Sequence, residues 1–413
     1  MKLLPIGISR TNLAGSITLF GLSVFAFGLT LSISITEIGI GIAFAGWVFT
    51  LKKGFFRKFI KDTPLLAPWT LYILIALISA YFAMDTARSM GYLPSDLIKM
   101  FACVFLLNAV RKDPSKIITA FYLAGATVAS IWALGQFLFS YLSHHTVVRV
   151  GASIHPVTFG EVITLALIAS VVFYIRTPKE NKLKLLFLAQ TFLFGTVLIL
   201  SQSRGAMLGA IFSMMAFWII EKNSRKFLTL LAVCTILAVG IFSYNNQIYK
   251  DRILSFPKMV YSKIFSLPVK DKMLKKLDPS TSTRFDQWRA GLEITRDYPL
   301  FGIGPSNTRL IFSYYHPDPI DGKYTWGNLH NLYIHQTAER GIAGLGALMY
   351  LLVAMFVLAW RINKKNCTSY SLWALCILPG FFVMNITETS FQHSIVSMAV
   401  FLALALAYTQ NKQ

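Results

Sequence analysis

The polar segment at residues 245–340 decides the fold, and it includes Ser280-Thr281-Ser282-Thr283-Arg284-Phe285-Asp286-Gln287-Trp288-Arg289 and Trp326-Gly327-Asn328-Leu329-His330-Asn331. It is the only long part of the sequence that is too polar to lie in a bilayer. On both sides of it the chain is a series of apolar runs of about 20 residues, long enough to cross a hydrocarbon core of roughly 30 Å. The sequence therefore predicts membrane helices interrupted by one large polar loop.

The composition also favours membrane insertion. Of 413 residues, 55% are hydrophobic and 14% are charged, whereas soluble domains are typically about 25% charged. The mean hydropathy is +0.57. We expect an all-α, polytopic membrane protein with about twelve transmembrane helices.

The candidate spans divide the chain into three parts. We expect transmembrane helices 1–9 in residues 1–244, a loop domain with catalytic helices in 245–337, and transmembrane helices 10–12 in 338–413. The N-terminal apolar run resembles a signal peptide, but we interpret it as an uncleaved first span. The spans are predicted at 13–31, 34–51, 65–83, 97–110, 117–142, 157–175, 184–200, 205–220, 227–244, 338–360, 370–386 and 392–409.

The distribution of basic residues predicts the orientation. The two termini and alternate connections hold about half of the 39 Lys and Arg residues, and such loops face the cytoplasm. The polar segment is then external, and long loops are exempt from this charge rule. The same bias explains the net charge of +21, so we expect no nucleic-acid partner. Residues 250–276 are basic, and they either contact anionic membrane lipids or form a solvated face.

Arg204 lies in a minimal external hairpin between two apolar helices, Ser201-Gln202-Ser203-Arg204-Gly205. Placing a cation close to the depth of the membrane costs free energy, and such residues usually have a function. Its side chain either has a functional role or extends to the lipid headgroups.

Arg284 lies where a helix is predicted to begin, with Thr283 as its cap. The free N–H groups and the dipole of a helix start already attract an anion. An arginine fits there if an anion joins it; the alternative is a surface ion pair with Asp278 or Asp286. Arg289 is a weaker candidate for the same role.

His330 is predicted to lie in the first turn of a helix that starts at Gly327-Asn328 and continues into a span. An imidazole there can act as a general base near neutral pH, or it can be a structural histidine. His335 lies five residues further on and does not form the i, i+4 pair of a zinc site. The external acidic residues form no cluster, and none of the four cysteines has metal-site spacing. We therefore expect no metal and no cofactor.

Several short motifs, taken in order, resemble the bacterial O-antigen ligase family. They are the hairpin at Arg204, the Thr283-Arg284 helix start with Trp288, the Pro299-x-x-Gly302-x-Gly304 run, Leu329-His330-Asn331, and Glu339-Arg340-Gly341. O-antigen polymerases and some protein O-oligosaccharyltransferases share these features. One large external loop after the ninth span is more typical of a ligase than of a polymerase.

The resemblance implies a GT-C-like, inverting and metal-independent glycosyltransferase of the bacterial inner membrane, with its active site facing the periplasm. Its donor would be O-antigen polysaccharide on undecaprenyl diphosphate, and its acceptor the lipid A–core oligosaccharide of lipopolysaccharide. His330 would be the base, Arg204 and Arg284 would bind the diphosphate, and Arg289, Glu339 and His335 are possible supporting residues. An O-antigen polymerase and a non-enzymatic transporter of lipid-linked sugars are the alternatives.

Overall fold

The computed structural model describes residues 10–51, 59–60, 62–146, 148–231, 233, 240, 279–319 and 322–411. These parts of the chain are mainly helical. We number the α-helices α1 (Arg10–Gly28), α2 (Ile33–Val48), α3 (Leu66–Tyr81), α4 (Thr86–Ala109), α5 (Ser115–His144), α6 (Pro156–Arg176), α7 (Leu183–Leu200), α8 (Arg204–Ile220), α9 (Pro279–Asp297), α10 (Thr308–Tyr315), α11 (Leu332–Lys365), α12 (Ser369–Thr387) and α13 (Ser394–Thr409).

The described helices confirm an all-α polytopic membrane protein. Six are long and apolar enough to cross a membrane, or seven if Arg204–Ile220 and Lys222–Leu231, which meet at 113°, form one broken span. The apolar helices Leu13–Gly28, Ile33–Val48, Leu66–Tyr81 and Ser394–Thr409 are shorter; at 1.5 Å per residue, a helix of this length spans only about 24 Å. Every predicted span coincides with a helix except 227–244, which lies mostly outside the described residues.

Helices α8 and α12 pack closely because both carry glycine at their contact. A Cβ atom at Gly380 would lie 2.3 Å from the carbonyl oxygen of Gly209. Small residues allow such close contact between membrane helices. The same packing brings Gly205, at the start of α8, against Thr387 at the end of α12. The two helix ends therefore meet at one end of the bundle.

Helix α11 is kinked at Gly341, where φ is 65° and ψ is −171°. The preceding carbonyl groups bond to a turn that follows α9: Ala338 accepts from the N–H of Ile303 at 3.1 Å, and Glu339 accepts from the N–H of Gly304 at 2.8 Å. Gly302 and Gly304 have positive φ angles in this turn. The kink thus fixes the polar helix α9 and the turn after it onto the membrane bundle.

The described part of the polar segment has a small core of its own. Ala290, Ile294, Ile303, Phe312, Leu329 and Ala338 form a hydrophobic cluster separate from the main one. It joins α9, α10 and the start of α11. The domain boundaries at residues 244 and 337 stay a prediction, and the basic part at 250–276 lies outside the described residues.

A buried ionic cluster lies where the polar segment joins the bundle. Arg340 donates to Asp96 at 2.5 Å, and the Lys99 ammonium lies 3.7 Å from the other oxygen of Asp96. The Arg340 guanidinium also lies 5.0 Å from the centre of the Tyr72 ring. Charges at this depth occur when they are paired, and Asp96 pairs with both cations.

Candidate active site

Glu388 binds two of the predicted site residues at once. It follows α12 directly and is only 3% exposed. One carboxylate oxygen accepts a hydrogen bond from Arg284, and the other lies 2.7 Å from Nδ1 of His330. The carboxylate therefore holds an arginine of α9 and the histidine before α11 in one cluster.

The surroundings of Glu388 keep it ionised. Burial alone would raise the pKa of this carboxyl, but the hydrogen bond to His330 and the positive charge of Arg284 outweigh burial, and the pKa is lowered. A neutral His330 that donates from Nδ1 to this carboxylate has its lone pair on Nε2. The His330 side chain is 31% exposed, so a substrate can reach this nitrogen. Such an arrangement can orient an imidazole as a general base.

The backbone around His330 differs from the prediction. Helix α11 begins at Leu332 with Asn331 as its cap, so the prediction that His330 lies in the first helical turn was wrong. His330 instead precedes the cap with a φ of 48°. The Asn328 side chain accepts from the N–H of His330 at 2.8 Å, which forms an Asx-turn. The indole of Trp288 donates to the His330 carbonyl at 3.4 Å, so several contacts fix this unusual conformation.

Arg284 lies in the second turn of α9, because the helix begins at Pro279. The prediction that Thr283 caps the helix was therefore wrong. In the structure the Glu388 carboxylate is the partner of Arg284, and the diphosphate-binding role of this arginine stays a prediction. The Arg284 side chain remains 20% exposed, which leaves part of the guanidinium accessible.

Arg204 is the first residue of α8 and is half-buried. The next residue, Gly205, packs against the loop that holds Glu388: a Cβ atom there would lie 3.8 Å from Cγ of Glu388. The preceding hairpin is tightly folded, with Gln202 at a φ of 53°. Arg149 donates to the carbonyl of Ser201 at 3.3 Å. The structure thus brings the Arg204 hairpin beside the Arg284–Glu388–His330 cluster.

The three possible supporting residues lie elsewhere. Arg289 is exposed and pairs with Glu293 on the surface of α9 at 3.1 Å. His335 and Glu339 are buried in α11, with 3.4 Å between their facing side-chain atoms, and Glu339 accepts from Thr308 at 2.9 Å. Their surroundings indicate that His335 and Glu339 support the fold beneath the site.

A second carboxylate–histidine pair lies on the same loop. Glu161, fully buried in α6, accepts from the Ser390 hydroxyl at 2.6 Å and lies 2.8 Å from Nδ1 of His393. Sequence reasoning did not single out His393. Among the described residues, no group of three or more His, Cys, Asp and Glu side chains has the arrangement of a metal site.

The described structure is thus a polytopic helical membrane protein with a polar, cation-rich site where α9 and the start of α11 meet the bundle. Residues 189–349 match the family model described as O-antigen ligase. The match confirms the resemblance to the O-antigen ligase and polymerase superfamily, whose members are membrane glycosyltransferase-like enzymes. No curated protein matches the chain. Arg204, Arg284 and His330 lie within the matched residues, and Glu388 lies beyond them.

Proposed function

We propose that this protein is an O-antigen ligase of the bacterial inner membrane with its active site facing the periplasm. It transfers O-antigen polysaccharide from undecaprenyl diphosphate to a hydroxyl group of the lipid A–core oligosaccharide. The observation that carries the proposal is the Glu388 carboxylate, which holds a partly exposed imidazole and a partly exposed guanidinium together. Glycosyl transfer from a diphosphate donor needs a base for the acceptor hydroxyl and an anion-binding group for the diphosphate, and the two must lie close together.

The first part of the mechanism is activation of the acceptor. Nε2 of His330 takes the proton of the acceptor hydroxyl while its oxygen attacks the anomeric carbon of the donor. Glu388 stabilises the imidazolium that forms, as the carboxylate does in a catalytic triad. A base of this kind contributes typically 10²–10⁴-fold to the rate.

The second part is departure of the diphosphate. The bond between the anomeric carbon and the phosphate oxygen breaks, and its electron pair leaves with undecaprenyl diphosphate. Arg204 and Arg284 stabilise the negative charge that grows on this group, where loss of one preorganised donor costs on the order of 3 kcal/mol. Since attack and departure occur on opposite faces of the sugar, direct displacement inverts the anomeric configuration.

The lipopolysaccharide of a deletion strain tests this function against its alternative. A ligase predicts bare lipid A–core together with long O-antigen chains that stay lipid-linked. Lipid A–core bearing a single repeat unit would instead indicate an O-antigen polymerase, and unchanged lipopolysaccharide would contradict both.

Complementation of that strain links the function to the site. The wild-type gene should restore full-length lipopolysaccharide, and the His330→Ala variant should not. Arg289→Ala is the matched control, because the partner of this arginine among the described residues is Glu293, on the exposed face of α9, and the variant should restore the wild-type pattern. All variants must first reach wild-type levels in the membrane.

A further inference from the structure

The connection between α12 and α13 is shared by two carboxylate–histidine pairs. Glu388, at its start, binds His330 and Arg284. Ser390 and His393, further along, both bind Glu161. The proposed mechanism uses the first pair and leaves the second without a role. A fully buried glutamate of a membrane helix that orients a partly exposed histidine is costly to maintain, and such residues are usually functional.

The second pair lies beside the Arg204 hairpin. Gly160, next to Glu161, packs directly on this hairpin: a Cβ atom there would lie 2.9 Å from the Ser201 hydroxyl and 2.9 Å from Cβ of Ser203. On the other side of the hairpin, Gly205 packs on Thr387 and Glu388. The hairpin therefore connects the two carboxylate–histidine pairs into one site.

Positive electrostatic groups converge on this hairpin. Helices α6, α8 and α13 begin here, with His155, Ser203 and His393 at their N-cap positions. The start of a helix carries a partial positive charge and free N–H groups, both of which favour phosphate. Arg149, which donates to the hairpin carbonyl of Ser201, adds a full positive charge.

We propose that His393, oriented by Glu161 and Ser390, forms a second phosphate-binding site, which contacts the diphosphate of the lipid-linked donor beside Arg204 and Arg284. Nδ1 of His393 faces Glu161, so Nε2–H of the imidazolium is the group that donates to a phosphate oxygen. The proposal rests on the proposed function only for the identity of the donor. A site with two phosphate-binding positions, one at Arg204 and Arg284 and the other at His393, can prefer a diphosphate to a monophosphate.

The charge on His393 follows from its neighbours. Burial lowers the pKa of this imidazole, but the charge of Glu161 and the hydrogen bond to it outweigh burial, and the pKa is raised. Glu388 also favours the protonated form, whereas Lys99 opposes it, and His155 is a further titratable group nearby. His393 therefore keeps its proton to a higher pH than a free histidine does.

Binding of polyprenyl diphosphate and polyprenyl monophosphate to the full-length protein in lipid nanodiscs tests the proposal. Wild type should bind the diphosphate more tightly. His393→Ala should weaken diphosphate binding about tenfold or more, as expected for loss of a hydrogen bond between charged groups, and should change monophosphate binding little. His144→Ala is the control, because this histidine is exposed at the end of α5, and it should bind both lipids like wild type.

The pH dependence separates a charged ligand from a structural residue. Wild-type affinity for the diphosphate should fall as pH rises through the titration of His393. In Glu161→Gln that fall should move to lower pH, and in His393→Lys it should disappear while diphosphate preference is retained. Wild-type diphosphate affinity in His393→Ala, or an unchanged pH midpoint in Glu161→Gln, would overturn the proposal, as would a wild type that does not prefer the diphosphate. Because this assay needs no acceptor, diphosphate binding without glycan transfer contradicts only the proposed ligase function.

Discussion

Replacement of Glu388 by glutamine should nearly abolish transfer while leaving the size of the side chain almost unchanged. In the wild type both oxygens face donors, one on Arg284 and one on His330. Glutamine has only one oxygen, so its amide group must face one of these donors. If the amide faces His330, the imidazole must present its lone pair at Nδ1, and Nε2 then carries the proton and cannot act as a base.

The size of the effect follows from these two contacts. Loss of an oriented base costs typically 10²–10⁴-fold, and forcing the wrong tautomer in a catalytic triad costs about 10⁴-fold. We therefore expect single-turnover transfer to fall about 10²–10⁴-fold in Glu388→Gln. Donor affinity should stay the same or increase, because the guanidinium of Arg284 is no longer neutralised by a carboxylate.

The assay is single-turnover transfer beside equilibrium donor binding, with purified protein in nanodiscs. Glu293→Gln is a matched control, since this glutamate is an exposed partner of Arg289, and it should transfer at the wild-type rate. A wild-type transfer rate in Glu388→Gln would refute the argument that the carboxylate orients His330. A large fall in donor affinity would refute the argument that it competes with the diphosphate for Arg284.

Four further predictions address the site and the topology. Arg204→Ala and Arg284→Ala should weaken both donor binding and turnover, and lysine should restore each only in part because it lacks the bidentate geometry of arginine; titration calorimetry and transfer rates check this. Because the pKa of Glu388 is lower in the folded state than in the unfolded state, its ionisation stabilises the folded protein at pH values above the unfolded pKa of about 4.3. This stabilisation is lost as the pH falls through the lower folded pKa. Thermal unfolding measured between pH 6 and pH 3 should therefore show a smaller loss of stability in Glu388→Gln than in the wild type. Treatment with a strong chelator should leave transfer intact, and activity restored by Mg²⁺ or Mn²⁺ would reveal a metal site. Reporter fusions near Pro317 should be periplasmic and those at Lys179 cytoplasmic, and a cytoplasmic result at Pro317 would contradict the proposed function.

Much of the fold could be predicted because membrane helices are specified locally. Runs of apolar residues define the membrane helices, so each predicted span outside 227–244 overlaps an observed helix. The kink of α11 could not be predicted, because Gly341 adopts its conformation together with a turn that lies about 40 residues earlier in the sequence. Hydrogen bonds from Ile303 and Gly304 to the kinked helix are tertiary contacts, and no local pattern specifies them.

Two residues of the candidate site could be predicted because their types are unusual at their positions in the sequence. An arginine near a helix start and a histidine before a membrane span both needed an explanation, and the structure places Arg284 and His330 on one carboxylate. The start of α11 was misplaced because asparagine caps helices and forms turns equally well: Asn331 caps α11, whereas Asn328 forms the Asx-turn.

Glu388 and His393 were not predicted as site residues, because their partners are distant in the sequence. Glu388 lies 58 residues from His330 and 104 from Arg284, and Glu161 lies 232 residues from His393. The one local signal is the polar run Thr387-Glu388-Thr389-Ser390 between two apolar helices. Polar residues that interrupt a short external connection between spans therefore merit inspection as site residues.

The central claim is that His330 removes the acceptor proton in a direct displacement at the anomeric carbon. The most direct test is transfer by purified protein from a synthetic polyprenyl diphosphate donor of known anomeric configuration to lipid A–core, with the product linkage assigned by NMR. We predict a glycolipid with inverted configuration, release of polyprenyl diphosphate, and no product with folded His330→Ala, which should still bind the donor. A retained configuration, or full transfer by His330→Ala, would contradict the mechanism.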